Sequence, residues 1–242
     1  MCETCGCSAD AHAHPHPHPH PEEDDGRTRT LAVAQRVLAE NDRLAAANRR
    51  WLAERSIPAV NLISAPGAGK TRLLERTLEG LRGRLPCAVI VGDVQTDTDA
   101  RRLQGRGAPV WQIETLDACH LDAQRIARIL PRAVPEGTRL LLVENVGNLV
   151  CPAAFDLGET LKVALLSVTE GEDKPLKYPT LFHRAPVVVI TKTDLIPHLS
   201  WNAELCRDNI LRVRPDARIL SLSAQTGAGL ESWLQFLTGL RP

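Results

Sequence analysis

No run of about 18 consecutive apolar residues occurs anywhere in the chain, so a membrane-spanning helix is not expected. The N-terminus also lacks a charged segment followed by an apolar stretch, which excludes a secretory signal and makes the cytoplasm the expected compartment. Net charge is missing as well: 29 basic side chains balance 29 acidic ones over 242 residues. That balance offers no electrostatic footprint for nucleic acid or an anionic membrane, and neither is expected as a partner. No internal repeat is visible. What remains is a chain that is 43% hydrophobic, enough for one sizeable core. Its seven cysteines, in a reducing compartment, read as free thiols or metal ligands rather than disulfides.

Composition divides the chain into three. Residues 1–26 are polar and rich in Pro and His, and read as a disordered tail. Residues 27–55 place Leu31, Ala34, Leu38, Ala45 and Leu52 at helical spacing, which predicts an amphipathic helix of about eight turns. Asn41 and Asn48 fall on the same stripe and interrupt it, so its apolar face is modest; Pro58 ends it. Residues 56–242 alternate short Val/Ile/Leu-rich runs with helical patterns. The runs AVNLIS, CAVIVGD, RLLLVEN, KVALLSVTE, PVVVITK and ARILSLS read as strands buried on both faces. Helices are predicted at 71–81, 99–104, 121–130, 203–213 and 230–237. The fold class is α/β: a P-loop NTPase with a mostly parallel sheet between two helical layers.

The strongest chemical signal is Ser64-Ala-Pro-Gly-Ala-Gly-Lys-Thr71, which follows one predicted strand and opens a helix, as a phosphate-binding P-loop does. Ser64 stands where the pattern usually begins with Gly. Amides from Gly67 through Ala68, Gly69, Lys70, Thr71 and the adjoining Arg72 would face the phosphates, aided by the helix dipole. Lys70 would reach the β- and γ-phosphates and the Thr71 hydroxyl would ligate Mg²⁺. Thr191-Lys-Thr-Asp194 ends another apolar strand and resembles a guanine signature with Thr in place of Asn. The Asp194 carboxylate can accept from guanine N1–H and its 2-amino group, a donor pair that adenine lacks. Lys192 would cover the base, and Ser223-Ala224 would form the second guanine loop. GTP is therefore the expected nucleotide. Asp93 and the Glu144-Asn-Val-Gly147 segment are candidate γ-phosphate and Mg²⁺ sensors, although Asp93 also reads as a turn or helix-cap carboxylate. No residue identifies itself as positioning the attacking water.

Metal chemistry is written three times. Cys2, Cys5 and Cys7 offer three thiolates within one tight turn beside the chain's amino terminus, suited to square-planar Ni²⁺ or tetrahedral Zn²⁺. His12, His14, His16, His18 and His20 alternate with Ala or Pro, so the segment is extended and can bind metal loosely and multiply, or remain an inert leader. Cys119-His120, at the start of a predicted helix, and Cys151, four residues past Gly147, form a third group. Cys87 and Cys206 read as core residues. Three ligands are few for a closed site, and a symmetric dimer could share them. Because Cys151 follows a γ-phosphate sensor so closely, metal affinity should respond to nucleotide.

SAPGAGKT, GDVQTDTDA, ACHLDA, ENVGNLVCP, FDLGE and VTEGEDKPLKYP together resemble the HypB family of nickel-incorporation GTPases in [NiFe]-hydrogenase maturation. The resemblance covers nearly the whole chain. It implies a SIMIBI-class GTPase that dimerises around GTP, with a tight nickel site at Cys2, Cys5 and Cys7. A weaker Ni²⁺/Zn²⁺ site would lie at Cys119, His120 and Cys151. The implied partners are a HypA-type zinc-containing accessory protein and the hydrogenase large subunit. Two other readings stand beside it: a passive nickel store, and a maturation GTPase for another metalloenzyme such as urease.

Overall fold

The computed structural model describes residues 25–93, 98–115 and 119–241, with side chains described from residue 35 onward. The chain divides into two units, 1–36 and 37–242. In the second, β1 (Ala59–Ile63), β2 (Cys87–Asp93), β3 (Val110–Glu114), β4 (Leu140–Glu144), β5 (Leu161–Ser167), β6 (Val187–Thr191) and β7 (Arg218–Ser221) form one seven-stranded sheet. The order is β3-β2-β4-β1-β5-β6-β7 and every ladder is parallel. Helices on both faces complete the three layers that alternating apolar strands and helices imply.

The five inner strands are largely apolar because both of their faces are covered. On one face, Leu73, Leu78 and Leu81 of α2 (Lys70–Leu81) and Trp233 and Leu234 of α9 (Leu230–Thr238) pack on Val60, Val89, Val163 and Val189. On the other, α1 (Asp25–Glu54) contributes Leu52 and α4 (Ala123–Ala133) contributes Ile126 and Leu130 against Ile90 and Val143. Beside them, α7 (Pro179–Arg184) and α8 (Ala203–Val213) bury Phe182, Cys206 and Ile210 against Ala164 and Val188. Full burial of one such aliphatic side chain contributes roughly 1.5–3 kcal/mol. Short helices α3 (Thr98–Leu103), α5 (Cys151–Ala154) and α6 (Lys174–Lys177) fill the connections. None of the helices described is long and apolar enough to cross a membrane.

The structure corrects the sequence reading in three places. β3 was not anticipated: it is an edge strand in which only Ile113 is buried, so VWQIE carries no continuous apolar run. The helix expected from residue 121 starts at Ala123, because Asp122 takes the N-cap and its Oδ1 accepts Arg125 N–H at 2.8 Å; Cys119 and His120 lie ahead of it. Asn41 and Asn48 do not weaken the buried face of α1. Both are buried, with Asn41 accepting Ala123 N–H at 2.9 Å and donating to Asp156 O at 2.8 Å. Asn48 donates to Ala123 O and Leu157 O at 2.9 and 3.0 Å. Each carboxamide thus satisfies loop backbone that would otherwise be buried without partners.

Candidate functional site

Parallel sheets gather their functional loops at the carboxyl ends of the strands. Here the loop after β1 becomes the P-loop, and β2, β4, β6 and β7 end close to it. Gly67 and Gly69 have φ of +75° and +98°, and open space lies where a Cβ would project. Only glycine reaches these angles without strain, and the space lets backbone amides meet a ligand directly. A cleft of about 500 Å³ opens there, walled by Gly67, Gly69, Lys70, Thr71, Arg72, Asp93, Glu144 and Gly147. All five residues proposed for catalysis on sequence grounds therefore share one cavity.

The electrostatics of the cleft are those of a site awaiting a counter-charge. Lys70 is buried, its Nζ donates to Ser64 Oγ at 3.0 Å, and burial holds its pKa below the usual lysine range. Glu144 is buried too; Thr71 Oγ1 donates to its Oε1 at 2.7 Å. Its other oxygen, Oε2, has no hydrogen-bond partner among the described residues, and burial pushes the carboxyl up to about 7. A carboxylate oxygen left bare beside a threonine hydroxyl is the donor set a hard divalent cation takes, so the residues fit Mg²⁺. Gly147 lies so close to the P-loop that a Cβ there would sit 3.1 Å from Pro66 Cα. Sequence reasoning missed Arg102 of α3, which lines the cleft together with Asp99. Arg72 and Arg102 both bond the buried Glu75 carboxylate, at 2.8 and 3.2 Å.

A second cavity of about 230 Å³ adjoins the P-loop, lined by Ala68, Gly69, Arg72, Thr191, Lys192, Asp194 and Ala224. Thr191 is buried and its Oγ1 donates to Ala68 O at 2.7 Å, which straps β6 to the P-loop. Ser223 does not line this cavity. Its Oγ donates to Asp194 Oδ1 and accepts the N–H groups of Gln225 and Thr226 at 3.2 and 3.1 Å, holding the carboxylate and the following loop together.

The third group is also assembled. Ligand atoms of Cys119, His120 and Cys151 lie within 4.8 Å of one another, the first two on the segment between β3 and α4 and the third at the first residue of α5. The His120 ring packs on Phe155 with centroids 3.9 Å apart, and burial lowers its pKa, which favours the neutral imidazole a metal requires. Contact with the Cys119 thiol is the main cause raising the Cys151 thiol pKa; both protons would leave on metallation. Phe155 was not singled out in the sequence, although it belongs to the FDLGE stretch. Cys2, Cys5, Cys7 and the tail histidines His12, His14, His16, His18 and His20 lie outside the described residues.

Residues 58–221 match the family model described as CobW/HypB/UreG, nucleotide-binding domain. The hydrogenase maturation factor HypB of Azotobacter vinelandii is 51% identical over 211 residues, covering 87% of this chain and 70% of that protein. The crystal structure of HypB from Helicobacter pylori in complex with nickel superposes with a TM-score of 0.77 at 35% identity, over 82% of this chain and 94% of that one. The signal recognition particle 54 kDa protein of Aeropyrum pernix, solved with GDP, shares the fold alone, with a TM-score of 0.52 at 14% identity over 90% of this chain and 57% of that one.

Proposed function

The chain belongs to the HypB branch of the CobW/HypB/UreG family, and from that membership we propose that it spends GTP hydrolysis on loading and releasing nickel for the large subunit of [NiFe]-hydrogenase. One observation carries the coupling. Three soft and borderline ligands converge on segments that leave the same carboxyl end of the sheet as the phosphate cleft, and Cys151 follows Gly147 after three residues.

Each step falls to identified groups. P-loop amides and Lys70 hold the β- and γ-phosphates. Asp194 selects guanine and Lys192 covers it, while Thr191 and Ser223 fix the pocket. Thr71 and Glu144 would hold Mg²⁺, which when bound offsets charge on the transferring phosphoryl group. Glu144 to Gly147, and Asp93 across the cleft, sense whether the γ-phosphate is present. Nickel is cargo at Cys119, His120 and Cys151, with zinc a competitor for the same donors. A second copy of the chain completes the coordination across a two-fold axis when GTP is bound. The tail thiolates Cys2, Cys5 and Cys7 form a tighter nickel site, and the histidines a reservoir. A HypA-type protein is the adjoining partner, and the cytoplasm the place of action.

The test is a nickel competition titration of the protein with GDP–Mg²⁺ and with a non-hydrolysable GTP analogue, alongside Cys151→Ala. Nickel affinity should differ between nucleotide states, and Cys151→Ala should lose both nickel binding at this site and GTP-dependent dimerisation. Equal affinities in the two states, or a variant indistinguishable from the parent, would remove the basis of the proposal.

A further inference from the structure

Asn145 stands between Glu144 and the turn at Gly147, and it is 1% exposed. Its Oδ1 accepts the backbone N–H of Leu121 at 3.2 Å and of Val146 at 3.0 Å; its Nδ2 donates to Asn61 Oδ1 at 3.2 Å. The bond to Val146 is local and common for asparagine in a turn. The bond to Leu121 is not: it spans 24 residues and grips the peptide immediately after His120. Behind it, Asn61 of β1 donates to Glu159 Oε1 at 3.3 Å, and Glu159 is paired with Lys162, so the carboxamide is buttressed from the sheet.

We infer that Asn145 is a positioning residue that transmits the nucleotide state to the Cys119–His120 arm of the metal cluster. The inference rests on the reading above that the cluster binds nickel and the cleft binds GTP. The loop from Glu144 to Gly147 reaches the cluster by two routes. One is covalent, through residues 148–150 to Cys151. The other is the Asn145 carboxamide, which holds Leu121 and therefore the peptide that carries His120. When the loop moves with the γ-phosphate, Cys151 follows along the chain while Cys119 and His120 follow through a hydrogen bond. Two arms driven by different linkages do not move in parallel, so the spacing of three ligands changes and the metal is gripped or loosened. Filling space alone would not call for an amide here. An apolar side chain of similar size would leave Leu121 N–H and Asn61 Oδ1 buried without partners.

The test uses the full chain with Cys2→Ser, Cys5→Ser and Cys7→Ser to silence the tail thiolates. A chromophoric chelator that outcompetes lone imidazoles reports nickel dissociation constants in saturating GDP–Mg²⁺ and in saturating non-hydrolysable GTP analogue with Mg²⁺. The readout is the ratio of the two constants, for which coupling between sites commonly gives about 5–150-fold. In Asn145→Ala the ratio should fall to about one. In Asn145→Asp, which keeps an acceptor for Leu121 N–H, it should persist. In Asn61→Ala, which removes the buttress but leaves the Leu121 bond, it should stay within about twofold of the parent. A parent ratio of one refutes the functional reading and this inference together. A parent ratio above one that survives in Asn145→Ala refutes the inference alone, and so does an equal loss in Asn61→Ala. Should Asn145→Ala fail to fold, amide exchange at Leu121 in the parent decides the matter. The linkage needs this bond in both nucleotide states, so Leu121 N–H must stay protected in each, and its free exchange in either state overturns the inference.

Discussion

Replacing Glu144 by Gln should stabilise the nucleotide-free protein and abolish its use of magnesium. The carboxyl is 3% exposed, one of its oxygens has no partner, and burial lifts its pKa from 4.5 to about 7. A group raised in the folded state binds a proton that the unfolded chain has already released. Stability is therefore retained below pH 4.5, lost as the pH climbs toward 7, and lost in full above it. The difference between the two pKa values corresponds to roughly 3 kcal/mol. Glutamine has the same shape and no charge, so at pH 8 without nucleotide the variant should exceed the parent by up to about 3 kcal/mol, and by nothing at pH 4. Part of the gain is offset because Lys70 loses the opposite charge beside it. Urea melts followed by tryptophan fluorescence, at several pH values, give the comparison directly. Saturating Mg²⁺ with a GTP analogue should then reverse the order, since the parent gains the stability of the bound state and the variant does not. A variant less stable than the parent at pH 8, or a difference that does not change with pH, would show that Glu144 is not held as a costly buried charge.

Thr191→Val keeps the shape of the side chain and deletes its bond to Ala68 O; losing roughly 1 kcal/mol of P-loop restraint should weaken GTP binding about fivefold, measured with a fluorescent analogue. Asp194→Asn should cost roughly 1.5–3 kcal/mol for each lost hydrogen bond to charge, lowering GTP and GDP affinity at least about tenfold while ATP binding stays as weak as before. Trp233→Phe removes the indole bond to Thr77 Oγ1 at 2.8 Å. It should lower thermal stability by at least about 1 kcal/mol with kcat for GTP unchanged, because Trp233 is held at Thr77, six residues along α2 from Thr71, and does not line the phosphate cleft.

The fold was legible wherever burial was symmetric. Strands covered on both faces betray themselves as apolar runs, and β1, β2, β4, β5 and β6 all did, while the edge strand β7 was read from the short apolar run ARILSLS although none of its residues is fully buried. β3 hid because one covered side leaves a mixed sequence. Chemistry with a fixed backbone template was equally plain: the P-loop declares itself through glycine spacing and Lys-Thr. The convergence of Cys119 and His120 with Cys151 was a guess from ligand type, since the 30 residues between the two arms carry no local signal of their meeting. Least visible were the residues that act through long-range hydrogen bonds. Asn41 and Asn48 read as interruptions of a stripe, and Asn145 carries no signal of its own within the Glu144–Gly147 segment. A buried amide bonded to backbone far along the chain leaves no periodicity behind, because its partner is a peptide group that any residue supplies.

The polar docking of α1 also sets an order in time. The backbone groups that Asn41 and Asn48 hold lie 75 to 115 residues downstream. During synthesis the helix leaves the ribosome before any of them exists, and the contacts it awaits are among the most distant in the chain. Long loop closures of this kind come late, after local structure has formed. In the interval a stripe interrupted by Asn41 and Asn48 is a safer thing to expose than an unbroken row of leucine, which would invite association with other nascent chains. The first helix made is thus fastened only after Ala123, Asp156 and Leu157 have been made, and its fastening reports that the start of α4 and the segment before β5 have come together.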